Sequence, residues 1–388
     1  MSYNKMHVSF VKLRDICDIS SGQNAPQNSE DYCPQGFTFI KASDLESVIN
    51  DDNENNTTKI AKSAITKYKL KQFPEQSVIF AKSGLSCKKN RIYVTKKTTF
   101  VVNHLCVLSN FSNNFLPNWI ALFLKEFNVT RLIKDDSYPS IKLSDIGNID
   151  IPVIDKAKQE EKVSEIESIC STIRNKKKQI LNFDSLVKSR FIEMFGDPIL
   201  NDKNWPTSTM SDCCQMKGTK SIPHKEKYWL LNLDKIKSET GEILEKDYVV
   251  RDEVGSSTFF FDKNYVLYSK LRPYLNKVII SDESGFATSE LVPLKPSACL
   301  NSYYLAFLLR SKSFVNWIDS TSFGAKMPRA SISALRSFRV PLPPLELQDK
   351  FADFVHLIDK SRFVVQKEIK DLQELLDSKM DEYFGGEE

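Results

Sequence analysis

The chain has 388 residues, 41% hydrophobic and 27% charged, with 54 basic and 50 acidic side chains for a net charge of +4. That is longer than one ordinary core organises and too apolar for a disordered chain, so two or three folded domains are expected. No run approaches the ~20 apolar residues of a membrane-spanning helix, and so weak a positive charge permits nucleic-acid binding without arguing for it.

At the amino terminus no apolar segment precedes a small-residue cleavage site, and a cytoplasmic protein is expected. Cys17, Cys33, Cys87, Cys106, Cys170, Cys213, Cys214 and Cys299 form no C-x-x-C and have no closely spaced histidines, so neither zinc nor disulfides are expected. The first front, residues 1–152, has short β-branched runs at Ser77–Ala81 and Asn90–Val94 that read as strands, then a helical spacing over Asn118–Ile133. Ile151–Pro152 marks a strand end, because proline has no N–H for continued pairing.

Beyond it, in residues 153–200, Val163, Ile166, Cys170, Ile173, Ile180, Val187, Phe191 and Met194 recur in steps of three and four, interrupted at Lys177 and Asp184. This is the seam of a long helix that ends at Phe195–Gly196. The second front, residues 201–343, repeats the mixture, with a strand at Lys277–Ile280 and a helix over Asn301–Ile318. Val340–Pro341 again closes a strand, and in residues 344–388 Phe351, Val355, Ile358, Val365, Ile369, Leu372 and Leu376 form a second seam broken at Arg362. About 40 helical residues span roughly 60 Å, longer than a small domain is wide. A narrow apolar seam suits one partner helix better than a sheet, so the two helices are expected to pair as a coiled coil.

An internal repeat relates the halves. Tyr138–Pro139 through Gly196 overlays Met327–Pro328 through Gly385 without a gap, at an offset of 189, and brings Gln159 onto Gln348. Upstream the match is looser, with Leu13, Asp15 and Cys17 against Met210, Asp212 and Cys214. Each half therefore has a variable front and a constant tail, an α+β architecture of two tandem fronts and two long helices.

The motifs of self-contained chemistry are missing. There is no Asn or Asp followed by Pro-Pro and an aromatic residue for an amino-methyltransferase, no phosphate-binding P-loop and no dinucleotide fingerprint. Glu160–Lys162 and Glu368–Lys370 fit a nuclease pattern, but both lie on helices crowded with Glu and Lys, where solvated charge explains them. A divergent nuclease or methyltransferase, and a coiled-coil scaffold without DNA binding, stand as the alternatives. His7, His104, His224 and His356 share no motif with a nearby Ser, Cys or carboxylate and read as surface or satisfied core.

The fronts do interleave cations with polar and aromatic residues, the types that neutralise phosphates and contact base edges. In the first front these are Lys82, Ser83, Lys88, Lys89 and Arg91; in the second, Lys270, Arg272, Tyr274, Asn276 and Lys277, with Lys326 and Arg329 in a later loop. A solvated loop competes with this reading at every one of them.

Taken together, the two-half organisation, Tyr268–Val278, Gly324–Pro328, Val340–Gln348 and Met194–Pro198 resemble the specificity subunits of type I restriction-modification systems. The resemblance runs over essentially the whole chain. It implies two target-recognition domains, each reading one half of a split DNA site, held apart by an antiparallel coiled coil of approximate twofold symmetry. It also implies a non-catalytic chain that partners double-stranded DNA, two DNA adenine methyltransferase subunits and restriction-translocase subunits, with S-adenosylmethionine, ATP and magnesium belonging to those partners. Val163, Ile166, Ile173, Ile180, Val355, Ile358, Ile369 and Leu376 are the helix positions expected to serve partner helices. The first half departs from the family pattern, with Ala81–Gly84 in place of an Arg-Pro form and no double proline after Ile151.

Overall fold

Long helices need an apolar stripe to hold them, and both do so here. A computed structural model, describing residues 9–324 and 326–385, forms helices of 40 residues at Lys156–Phe195 and Leu345–Phe384, each boundary displaced by the repeat offset of 189. His7 and Ala325 lie outside the described residues. Gly196 ends the first helix with φ +77°, where a side chain is disfavoured and glycine is not.

Both helices start from the same anchor. Gln159 is fully buried; its Oε1 accepts from the Leu116 N–H (2.9 Å), and its Nε2 donates to the carbonyls of Asn114 and Ile154 (both 2.9 Å). Gln348 accepts from the Asn301 N–H (2.9 Å) and donates to Cys299 (3.1 Å) and Pro343 (2.8 Å). Three otherwise unpaired backbone groups at each joint are thereby satisfied.

The chain folds into two compact units: residues up to Lys176 together with those from Glu368 onward, and Lys177–Lys367. Each unit therefore holds one front and a segment of each long helix. In the first unit Ile166, Ile169 and Ile173 pack against Leu376 and Met380, and Lys176 pairs with Glu368 at 2.7 Å. Glu165 pairs with Lys379 at 3.1 Å, so the helix segments run antiparallel. In the second unit Val187, Phe191 and Phe195 join Phe351, Val355 and Ile358 in the core, again antiparallel. The two seam interruptions Asp184 and Arg362 meet there at 2.7 Å.

The fronts share the topology of their main sheet, and the companion sheet has one more strand in the second front. In the first, a four-stranded sheet runs in the order Asp18–Ser21, Leu105–Ser109, Val78–Ala81, Ile92–Val94, beside a three-stranded sheet of Thr58–Ile60, Tyr32–Ile40 and Phe100–Val101. In the second, Cys214–Gln215, Leu291–Pro296, Val266–Ser269 and Val278–Ile280 repeat the first sheet. Asp247–Val249, Tyr228–Leu231, Gly285–Thr288 and Thr258–Phe261 form its companion. Short antiparallel ladders, Phe10–Lys12 with Asp150–Pro152 and Thr207–Thr209 with Arg339–Pro341, close each front against its helix and end at the predicted prolines.

The looser upstream match holds in three dimensions as well. The Leu13 N–H donates to Ile149 and the Met210 N–H to Phe338, at 2.9 and 2.8 Å. The two front helices are shorter than their periodicity predicts. Asn128 (φ +57°) ends Pro117–Phe127, and Ser311 breaks the other into Ser302–Arg310 and Lys312–Ser320 by accepting from the Phe314 N–H as an N-cap. Among the described residues no helix is long and apolar enough to cross a membrane.

Candidate nucleic-acid interface

In the second front the fully buried strand Val266–Ser269 delivers Lys270 to the end of its sheet. Backbone bonds then fasten three loops there. The Lys270 N–H donates to Glu290 (3.0 Å), the Ala330 N–H to Lys270 (2.8 Å) and the Arg272 N–H to Pro328 (2.7 Å). Phe323 and Arg329 exchange two backbone bonds and close a tight loop whose Gly324 adopts φ +98°. Arg272 itself sits at φ +48°, a left-handed conformation that costs a side-chain-bearing residue energy and is kept only when its surroundings hold it.

The first front builds the same corner. The Lys82 N–H donates to His104 (2.9 Å), the Ile141 N–H to Lys82 (2.8 Å) and the Gly84 N–H to Pro139 (3.0 Å). These bonds equate Lys82 with Lys270, Gly84 with Arg272, His104 with Glu290 and Ser140 with Arg329. Gly84, at φ +77° and ψ −179°, adopts a positive-φ conformation different from that of Arg272 and open to glycine at no steric cost. One scaffold thus presents two different sets of side chains.

Of the predicted contacts, Arg272, Tyr274, Lys326 and Lys89 are exposed, and Lys82 and Lys270 are half-buried at the two equivalent corners. None of the six has a side-chain hydrogen bond among the described residues. Ser83 is half-buried and bonds His104. Lys88 pairs with Asp136 at 2.8 Å, an exposed contact worth little and easily exchanged for a phosphate. Arg329 is held by Glu290 through Nε (3.2 Å) and Nη2 (3.0 Å). The bond from Arg329 keeps the Glu290 carboxyl below its ordinary value, against the opposing effect of burial.

Three predicted contacts have structural employment instead. Asn276 is only 4% exposed and left-handed, and its amide nitrogen donates to the Arg310 carbonyl (3.0 Å) and to Glu239 (3.2 Å). Asn90, at the matching turn of the first front, donates in the same way to the Lys125 carbonyl (2.7 Å). Asparagine at this turn closes the loop. Arg91 pairs with Glu46 on the helix Leu45–Asp51, and Lys277 donates to the carbonyl of Leu233 in the turn Leu233–Lys235 (2.7 Å), so each fastens a strand end to another element of its own front.

Val163, Ile166, Ile173, Val355, Ile358 and Leu376 are buried within their own units, with Ile180 and Ile369 half-buried. They hold the helix segments and fronts of each unit together. Exposed apolar side chains on the helices include Leu181, Leu186, Ile192, Leu357, Phe363, Val364 and Leu375, with Phe363 70% exposed. In the second unit a cavity of about 1040 Å³ opens beside this helix surface, lined by Phe191, Tyr303, Phe307, Arg310, Val355 and Phe363.

Sequence reading missed His104. It is exposed at the first corner with Nδ1 2.8 Å from Ser83 Oγ, a pairing across 21 residues that no spacing rule reveals. His356 stacks edge-on against Tyr303, and His224 is exposed. Glu368, from the weak nuclease pattern, is the ion partner of Lys176. Among the described residues no cluster of three His, Cys, Asp or Glu side chains suits a metal.

A family model described as the type I restriction modification DNA specificity domain matches twice, at residues 6–182 and 202–374. The type I restriction enzyme MjaIX specificity subunit of Methanocaldococcus jannaschii is 28% identical over 174 residues, 44% of this chain and 39% of that one. The EcoDI specificity subunit of Escherichia coli is 25% identical over 134 residues, 34% of this chain and 30% of that one. These alignments thus span well under half of either relative. A type I restriction-modification S subunit from M. genitalium shares the fold over 100% of this chain and 98% of its own, with TM-score 0.59 at 13% identity. A chain from a structural study of type I restriction-modification complex assembly shares it over 99% of both, with TM-score 0.58 at 14% identity.

Proposed function

The chain belongs to the family of type I restriction modification DNA specificity domains, and from that premise we propose that it reads a split DNA site, one half per front, without chemistry of its own. The observation that carries this reading is the repeated corner. The same three backbone bonds recur in both fronts, yet the residues on them differ, Gly84 against Arg272 and His104 against Glu290. A constant scaffold with changed side chains is what two related readers of unlike half-sites require, because hydrogen-bonding groups on base edges distinguish the bases.

Lys82, Lys89, Lys270 and Lys326 supply the phosphate-neutralising charge, and Arg272 with Arg329 the bidentate geometry suited to guanine. In this reading the helices set the spacer between half-sites and dock two adenine methyltransferase subunits on their exposed faces, where Leu181, Leu357 and Phe363 remain uncovered. Restriction-translocase subunits complete the assembly, and S-adenosylmethionine, ATP and magnesium are bound by those partners.

The test is methylome sequencing of cells carrying the intact system. The expected result is a split, asymmetric motif with methyl-adenine in both parts. A continuous palindrome, or methylation by the purified single chain that is lost on changing Glu160 or Glu368, overturns the reading.

A further inference from the structure

We infer that His104, oriented by Ser83, reads a base in the first half-site, and that Glu290 is the positioning residue that aims Arg329 at a base in the second. The inference rests on the DNA-reading function proposed above. It concerns a position that no motif singles out. His104 and Glu290 occupy one scaffold place, since each backbone carbonyl accepts from the corner lysine, Lys82 or Lys270.

What differs is the residue opposite. In the second front this is Arg329, long enough to reach Glu290, and the two make a paired bond through Nε and Nη2 that fixes the guanidinium plane while leaving 39% of the Arg329 side chain exposed. In the first front it is Ser140, which is too short to reach so far, and the imidazole turns to Ser83. The ring has one nitrogen engaged, and Nε2 has no partner among the described residues. A Ser83 hydroxyl that donates to Nδ1 leaves Nε2 carrying the proton, and one that accepts from Nδ1–H leaves Nε2 an acceptor. The donor matches the N7 acceptor that both purines show in the major groove, and the acceptor matches the exocyclic amino group of adenine or cytosine.

A purely structural Ser83–His104 bond has little to do. It joins two exposed or half-exposed side chains at a corner already fastened by three backbone bonds. Holding the ring still is its remaining effect, and a held ring contacts a base at less entropic cost.

The experiment is the methylome of cells carrying the intact system with wild-type, H104A, H104Q, S83A or E290Q chains. H104A is expected to relax one position in one half-site, its preference falling roughly 5- to 150-fold, with the other half-site unchanged as an internal control of folding. S83A should relax the same position less, and E290Q a position in the opposite half. A bipartite wild-type motif that H104A leaves unaltered at every position overturns the inference and spares the function on which it rests. If H104A abolishes methylation altogether, H104Q decides. A changed base at one position supports the inference, and an unchanged motif or a second complete loss makes His104 structural and refutes it. A wild-type motif that is not bipartite refutes the underlying function instead.

Discussion

Arg272 holds two properties that rarely coincide, a cationic side chain exposed to solvent and a backbone at φ +48°. Its counterpart, Gly84, also has a positive φ but a different ψ, −179° against 66°, so the corner as a whole does not require the arginine side chain. Replacing Arg272 by Gly or by Ala should therefore separate the two. Both variants are expected to lose roughly 1–3 kcal/mol on the cognate site and to relax one position in one half-site. R272G should unfold at higher denaturant than R272A, by about 1 kcal/mol, because glycine takes the left-handed region freely. Competition binding on a half-site library and urea midpoints measure the two effects, and an equal loss on every sequence would make Arg272 a phosphate contact. Cation-rich loops and their place at strand ends were legible in the sequence. The sorting of those cations was not, because whether Arg91 or Lys277 meets a base or a neighbouring loop depends on Glu46 and Leu233, both more than 40 residues away in sequence.

At the scale of the element, the seams were legible because packing imposes a period on the residues that face it, and even their flaws were informative. Asp184 and Arg362 each break a seam, and in the structure they meet at 2.7 Å with less than a third of either side chain exposed. Removing one partner leaves the other charge half-buried, so D184A is expected to destabilise the second unit by about 1–2 kcal/mol. The double replacement D184L/R362L should recover most of that loss, as apolar pairs in a seam do. Thermal or urea unfolding of the three chains measures it, and equal losses in the single and double variants would show that the pair does not couple. Gln159 and Gln348 make three matched bonds each, so Q159A and Q348A should cost similar amounts, about 2–3 kcal/mol, at their own joints. The front helices were less legible. Asn128 and Ser311 interrupt an apolar period that continues past them, since a cap acts through one backbone hydrogen bond and leaves the hydrophobic pattern untouched.

For the whole molecule, the repeat makes the joint between front and helix a place where chains can be exchanged. Each front closes through its own short ladder at Pro152 or Pro341, and each long helix begins three residues before a buried glutamine that grips the front. Residues 202–326 can therefore be replaced by the matching front of a related chain that supplies its own strand to pair with Arg339–Pro341 and its own backbone groups where Cys299 and Asn301 meet Gln348. The expected outcome is a methylome in which one half of the motif changes and the other does not. Spacer length is a separate variable. Inserting seven residues between Lys176 and Asp184, and seven between Arg362 and Glu368, leaves Lys176–Glu368 and Asp184–Arg362 each inside its own unit. A heptad nearly preserves the seam, whereas three or four residues would overwind or unwind it. Seven residues add about 10 Å of helix, close to the rise of about three base pairs. The lengthened chain should accordingly prefer a longer spacer and keep both half-sites. Methylome sequencing of cells carrying either altered chain reads both outcomes. A front swap that alters both halves, or a lengthened chain that methylates the original spacer as efficiently as before, would show that the fronts and helices do not act as independent parts.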